Sequence, residues 1–174
     1  MRDDSNVKQK VEYGCAIKCL QLILRDYGFE IEEKVLCEIA KGNGWYHEGG
    51  GVFMHDNGKL LGCFGIRYHH LQYNTVEDIV RELQQGHRVM VNVNADKLHD
   101  GPKVAFRHNE ASHAVLITMV SRSDGCIFFT DPMTGNIDEP CPIDWFQMPG
   151  KTPPAICLPQ TAQRAFTMIQ LHNQ

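Results

Sequence analysis

The stretch QKVEYGCAIKCLQLILRDYG, Gln9 to Gly28, decides how the chain begins to fold. From Cys15 to Asp26, Ala16, Cys19, Leu20, Ile23 and Leu24 follow the i, i+3, i+4, i+7, i+8 spacing, which predicts a helix with one buried stripe. Gly28 supplies the stop just past its end. Cys15 therefore opens the helix instead of lying inside it. The unpaired N–H groups and the dipole of a first helical turn favour a thiolate there, whereas a cysteine packed in a helix body is inert. Whether Cys15 is packed or reactive depends on what else the chain supplies: a base, a residue to orient it, and a donor for an oxyanion.

Working outward, Glu32 to Ala40 fits a second helix ended by KGNG. WYHEGGGV reads as a glycine-rich loop, and Val52 to Leu61 as a third helix ending at Gly62. FGIRYHHLQY alternates as a strand does. NTVEDIVRELQQG is a helix with Asn74 or Thr75 as N-cap, acidic residues in its first turn and Gly86 as its stop. HRVMVNVNA follows as a β-branched strand, then DKLHDGPKVAFRHNEAS, which has no period and suits either a loop over a cleft or an ordinary surface loop. HAVLITMV is almost wholly apolar, as a strand buried on both faces would be. SRSDGCIFFTDP reads as a turn on Asp124–Gly125, a strand from Cys126 to Thr130 and an exit at Asp131–Pro132. IDWFQMPG suits one helical turn, with weaker strands near Ala155–Leu158 and Ala165–Leu171. Helices first and a mostly antiparallel sheet second make an α+β architecture.

The chain has 174 residues, with 43% hydrophobic and 22% charged, which fits one domain over 1–174 with a full core. A net charge of −4 without a basic tract argues against nucleic acid and anionic membranes as partners. No apolar run reaches the roughly 20 residues that span a bilayer. MRDDSNVKQK lacks the apolar core of a secretory signal. The seven cysteines are odd in number and irregular in spacing, as reduced thiols are. The expected location is the cytoplasm, or outside the cell by a route without a classical signal.

A cysteine–histidine enzyme needs a thiolate, an imidazole to share its proton, a third residue on the far ring nitrogen and an oxyanion donor. Cys15 opens the first helix and His113 opens the HAVLITMV strand. Asp131 ends the next strand, so a tight turn between antiparallel neighbours sets it beside His113. Gln9 lies six residues before Cys15, where its amide can fold back. Each part alone has a plainer reading, as a core thiol, a structural histidine or Asp–Pro turn chemistry; the ordered set outweighs them. Cys15 and Cys19 share a helix face at i, i+4, and His69, His70 and His108 offer nitrogens, but no C-x2-C or H-x3-H pair supports a metal, and none is expected. His69 and His70 are adjacent on a strand, so they face opposite sides, one half-buried and one exposed. Trp45, Tyr46 and His47 suit either a substrate wall or the edge of the core.

Q-x5-C-A-x2-C-L-x-L-I-L-x2-Y-G, followed by S-H-A-V-L-I and T-D-P-M-T-G, resembles the C39 and C39-like group of papain-fold cysteine peptidases, from about Gln9 to Trp145. The resemblance implies a papain-like fold, Cys15 as nucleophile, Gln9 at the oxyanion hole, His113 as general base and Asp131 as the residue that orients it. It implies a protein or peptide substrate and no cofactor. Ala16 is a departure, because the family usually has glycine there, and a methyl group would border the oxyanion site. The implied chemistry is amide hydrolysis through a thioester. Glutamine deamidation and acyl transfer by an effector use the same parts, and a non-catalytic module could keep the fold for binding.

Overall fold

A computed structural model describes residues 6–71, 75–93, 95, 98, 113–146 and 155–159. Helix α1, Cys15–Asp26, buries Ile17, Cys19, Leu20, Ile23 and Leu24 completely. It ends where the Gly28 N–H reaches the Arg25 carbonyl and the Phe29 N–H the Leu24 carbonyl, at 2.9 and 3.0 Å. That crossed pair needs a left-handed residue, and Gly28 supplies it with φ +82°. Helix α2, Glu33–Gly42, leads into a hairpin of β1, Tyr46–His47, and β2, Gly51–Val52, so the glycine-rich segment is a paired turn and not an open loop.

Helix α3, Met54–Gly62, starts two residues later than the apolar pattern suggests, because Val52 is taken by β2. Its terminating turn is made at Gly65, where the Ile66 N–H reaches Leu61, so Gly62 stays helical. The strand expected over Phe64–Tyr73 shrinks to β3, His69–Leu71, among the described residues. Phe64 and Ile66 instead turn back onto the core beneath α1 and α3. Helix α4, Val76–Gln84, opens on Thr75: its hydroxyl accepts from the Asp78 N–H at 3.3 Å, and the Asp78 carboxylate accepts from the Thr75 N–H at 2.7 Å.

The remaining elements are β4 (His87–Val93), β5 (His113–Ser121), β6 (Cys126–Thr130), β7 (Glu139–Pro142), α5 (Ile143–Phe146) and β8 (Ala155–Pro159). Strand β7 has no sequence signal, since Pro140 and Pro142 remove ladder donors; it forms because it sits at the sheet edge, where proline is tolerated. The six strands run in the order β3-β8-β4-β5-β6-β7, every neighbouring pair antiparallel. The strand expected at Ala165–Leu171 lies outside the described residues. So does the polar loop Asp96–Ser112, apart from Leu98, which packs on the α4 side of the sheet.

Period-2 alternation splits the sheet into two covered faces. Met90, Ala114 and Leu116 lie beneath α1, α2 and α3, while Val89, Val91, Val115, Ile117 and Phe129 lie beneath α4. Both faces being covered explains why HAVLITMV is apolar throughout. At one end Arg88 of β4 holds Asp26, the last residue of α1, at 2.8 Å. Nearer the other, the Cys19 thiol donates to the Ala114 carbonyl at 3.5 Å. These ties aim the N-terminus of α1 at the start of β5.

Gly51 tests this docking. Its φ is +69°, and a Cβ there would stand 2.3 Å from the Tyr13 carbonyl oxygen, backbone that cannot move without dragging Cys15. Gly51→Ala should cost roughly 2–4 kcal/mol, from left-handed strain plus overpacking. Gly62→Ala, where a Cβ meets nothing within 4 Å, should be neutral or stabilise by up to about 1 kcal/mol. Urea denaturation of both variants checks this; equal midpoints would show that the hairpin is not seated on Tyr13.

Candidate active site

Cys15 is the first residue of α1, behind the N-cap Gly14, and no acidic residue in that turn offsets the positive end of the helix. The turn leading into it is tightly built. A Cβ on Gly14 would stand 2.6 Å from the Val11 carbonyl oxygen, so this position takes only glycine without rearrangement. Tyr13 adopts φ +53°, a left-handed conformation that side chains other than glycine occupy at a cost of about 1 kcal/mol. The Glu33 carboxylate accepts the N–H groups of Lys10 and Val11 at 2.9 to 3.0 Å. It lies 3.7 Å from the Lys18 ammonium, and both side chains are buried.

His113 opens β5 opposite Val93, and Asp131 follows directly on β6. Their side chains meet at 2.6 Å, His113 Nε2 to Asp131 Oδ1, with Asp131 wholly buried and His113 nearly so. Asp131 is fixed by its own turn: Oδ1 accepts the Met133 N–H at 2.7 Å, and its backbone carbonyl accepts the Gly135 N–H at 2.8 Å. With Nε2 committed to Asp131, the Nδ1 edge of the ring is left for Cys15, whose thiol lies close enough to feel its charge.

Opposing effects act on this pair. Burial pushes the Cys15 thiol up, but the hydrogen bond and charge of His113, helped by the Ala114 and Ala16 N–H groups, bring it below its ordinary value. Burial alone would make His113 less basic; the hydrogen bond to Asp131, then that to Cys15, raise it to about 9. Both shifts run towards a thiolate beside an imidazolium, with the ring buried and the thiol partly open to solvent. Other cysteines contrast with it: burial pushes Cys19 well up and Cys141 up to about 11.

Gln9 is tied to the same corner, its backbone N–H donating to the Pro132 carbonyl at 2.7 Å. Its side-chain amide donates to the Val11 carbonyl at 3.3 Å, which leaves the second N–H of that amide for another acceptor. Ala16 is 3% exposed and belongs to the core beneath α1, against which Cys15 also packs. Trp45 and Tyr46 pack at the edge of that core, and the Tyr46 hydroxyl donates to the Glu12 carbonyl at 2.8 Å. His47 stacks on Phe53, ring centres 4.5 Å apart. His69 and His70 face opposite sides as expected, but both are exposed. His108 lies outside the described residues.

The sequence reading missed Glu33, Lys18 and Gly51. Glu33 looks like any first-turn acid, and nothing local announces a bond to residues more than twenty positions earlier. Lys18 falls outside the apolar stripe of α1, on the face where a lysine reads as solvent-exposed, yet it is buried. Gly51 is one of three consecutive glycines, and only the fold singles it out.

No protein-family model matches the chain, and no curated protein does. Solved structures do. The peptidase domain of Streptococcus ComA, a bi-functional ABC transporter involved in a quorum-sensing pathway, is 14% identical with a TM-score of 0.63, covering 88% of this chain and 96% of that one. A protein from Bacillus anthracis described as a C39-like peptidase is 16% identical with a TM-score of 0.60, covering 87% and 92%. A double-glycine-motif protease from an AMS/PCAT transporter, solved with its leader peptide, is 12% identical with a TM-score of 0.54, covering 88% and 89%. The chain has the α+β, papain-like fold of C39 peptidases.

Iodoacetamide alkylation at each cysteine, followed against pH by peptide mass spectrometry, reads the thiolate directly. Cys15 should react below the free-thiol value of about 8.5, and His113→Ala, which leaves burial as the main effect, should move its profile up. An unshifted profile in His113→Ala would mean that no ion pair forms.

Proposed function

We propose that the chain is a cysteine-dependent amide hydrolase, a thiol peptidase formed by one catalytic domain. Cys15 is the nucleophile, His113 the acid–base, Asp131 the orienting residue and Gln9 a donor to the oxyanion. The observation that carries this reading is the bond from His113 to buried Asp131 with the Cys15 thiol beside the ring, its pKa depressed and that of the imidazole raised. Two of the solved structures of this fold are described as peptidases and a third as a protease held with a leader peptide, which supports a peptide or protein as substrate.

The Cys15 thiolate attacks the acyl carbon, and the carbonyl oxygen gains the charge. The Cys15 backbone N–H, free of intrahelical partners at the first helical position, and the spare Gln9 N–H receive that charge. Collapse of the tetrahedral adduct breaks the C–N bond, and the imidazolium of His113 gives its proton to the leaving amine. Neutral His113 then takes a proton from water as the water attacks the thioester, restoring the thiolate and imidazolium. Asp131 keeps the ring oriented throughout and favours its charged form. With glutamine as substrate the leaving group is ammonia, and with an amine in place of water the step becomes acyl transfer.

The test uses a proteome-derived peptide library, with new N-termini read by mass spectrometry and ammonia release measured in parallel. Wild type should generate new termini, Cys15→Ala and His113→Ala none, and Asp131→Asn should be slower by about 10²–10⁴-fold. The rate should fall as pH rises through about 9, where His113 loses the proton it must donate. Ammonia without new termini would make the protein a deamidase. Cleavage that survives Cys15→Ala, or neither product from a chain whose Cys15 still alkylates at low pH, would overturn the hydrolase reading.

A further inference from the structure

Glu82 lies on the sheet-facing side of α4 and is buried. A carboxylate in that position needs compensation, because charge taken out of water is costly unless paired. Two histidines meet it on one oxygen: His87 Nδ1 at 2.6 Å and His69 Nε2 at 3.2 Å from Glu82 Oε2. The imidazole rings are 5.9 Å apart and nearly perpendicular. The strand register explains the meeting. His69 pairs with Cys157, Cys157 pairs with Val89, and His87 stands two residues from Val89, so these side chains share the face beneath α4.

We propose that His69, Glu82 and His87 bind a zinc-class divalent transition-metal ion, at a site separate from Cys15. The three ligand atoms lie within 4.8 Å of one another. A tetrahedral zinc ion with ligands at about 2.0–2.1 Å needs them roughly 3.3 Å apart, so adjustments of no more than about 1.5 Å complete the cage. Two imidazoles and a single carboxylate suit zinc or cobalt; magnesium and calcium demand oxygen donors, and only one such group is present in this cluster.

Neutral imidazoles can take up the ion without net loss of protons. Each ring moves its proton from the nitrogen facing Glu82 to the other nitrogen, and the vacated lone pair becomes the ligand. His69, 47% exposed, leaves the ion a path from solvent and the fourth position open to water. The ligands come from β3, α4 and β4, so the ion would staple the short edge strand β3 to the body of the sheet. His87 and Val93 mark opposite ends of β4, and Val93 faces His113. At ~3.3 Å per residue the metal site lies about 20 Å along the strand from the Cys15 corner.

The experiment titrates untagged protein carrying Cys15→Ser, which removes the competing thiol–imidazole pair, with Zn²⁺ by calorimetry and with Co²⁺ by visible absorption. One ion per chain with a Kd on the order of micromolar or tighter is expected, with the d–d absorption of low-coordinate Co²⁺ and a rise in Tm on adding Zn²⁺. His69→Ala and His87→Ala should each weaken binding by at least about tenfold. His69 lies on an exposed edge strand, so its variant should fold even if His87→Ala does not, and Zn²⁺ should no longer raise its Tm. No binding up to about 1 mM Zn²⁺, a Kd at the scale of millimolar affinity, or an affinity unchanged in His69→Ala, would leave the cluster as a carboxylate bridged by two imidazoles and overturn the proposal.

Discussion

The Glu33 carboxylate, 5% exposed, receives the N–H groups of Lys10 and Val11 while the Lys18 ammonium stands 3.7 Å away. A buried ion pair of this kind gains little against an apolar substitute, yet losing one partner strands a charge at a cost of about 3–5 kcal/mol. Its contribution is therefore to position. It joins α2, the chain segment before α1 and α1 itself at one point, and leaves Tyr13 and Gly14 only one course into Cys15. Gly51 then lies against the Tyr13 carbonyl, and Gln9 reaches the Pro132 carbonyl beside Asp131. The same short segment thus touches the hairpin, the helix and the turn after β6, and all three fix where the Cys15 sulfur lies.

Geometry of that accuracy matters because the Cys15 environment is a contest. Burial opposes both a thiolate and an imidazolium, and for each group it is the largest single effect. What favours the charged forms is that each partner supplies a counter-charge and Asp131 supplies a hydrogen bond to the ring. Raising His113 from 6.5 to about 9 corresponds to roughly 3 kcal/mol in favour of the protonated ring. A displacement that broke the contact would take from Cys15 its main opposition to burial and leave His113 with Asp131 as its one counter-charge. Rigidity at the entrance to α1 and charge separation at its first residue are one requirement.

How much of this was legible in the sequence follows from how far each signal travels. Helices α1 and α4 were readable because stripe, cap and stop are local; the Thr75–Asp78 box spans four residues. The juxtaposition of Cys15, His113 and Asp131 was also readable, since two of them sit at ends of strands joined by a tight turn and the third at a helix start. What failed depended on partners remote in sequence. Val52 was drawn from α3 into a hairpin by pairing with Tyr46, and β7 forms at the edge despite two prolines. Glu33 acts on residues on the far side of α1, and the meeting of His69 and His87 depends on β8 arriving between β3 and β4 from near the other end of the chain.

The two histidine clusters show how one sheet gives the same side chain different work. At the β5 end, His113 is sealed from water, so its bond to Asp131 acts in a low dielectric and holds a proton firmly. At the far end of β4, His87 is partly covered and His69 half open, and both turn towards a carboxylate that burial would otherwise neutralise. There burial pushes Glu82 up, but the hydrogen bonds of His87 and then His69 bring it below its ordinary value, so the carboxylate stays charged. Two rings on one oxygen, with solvent at one side, make a group open to exchange with water; a ring held on a buried acid beside a thiol is closed to it. The difference lies in where the sheet ends and what covers it, since α1 closes one end with its N-terminus and α4 covers the other with an acidic side chain on its buried face.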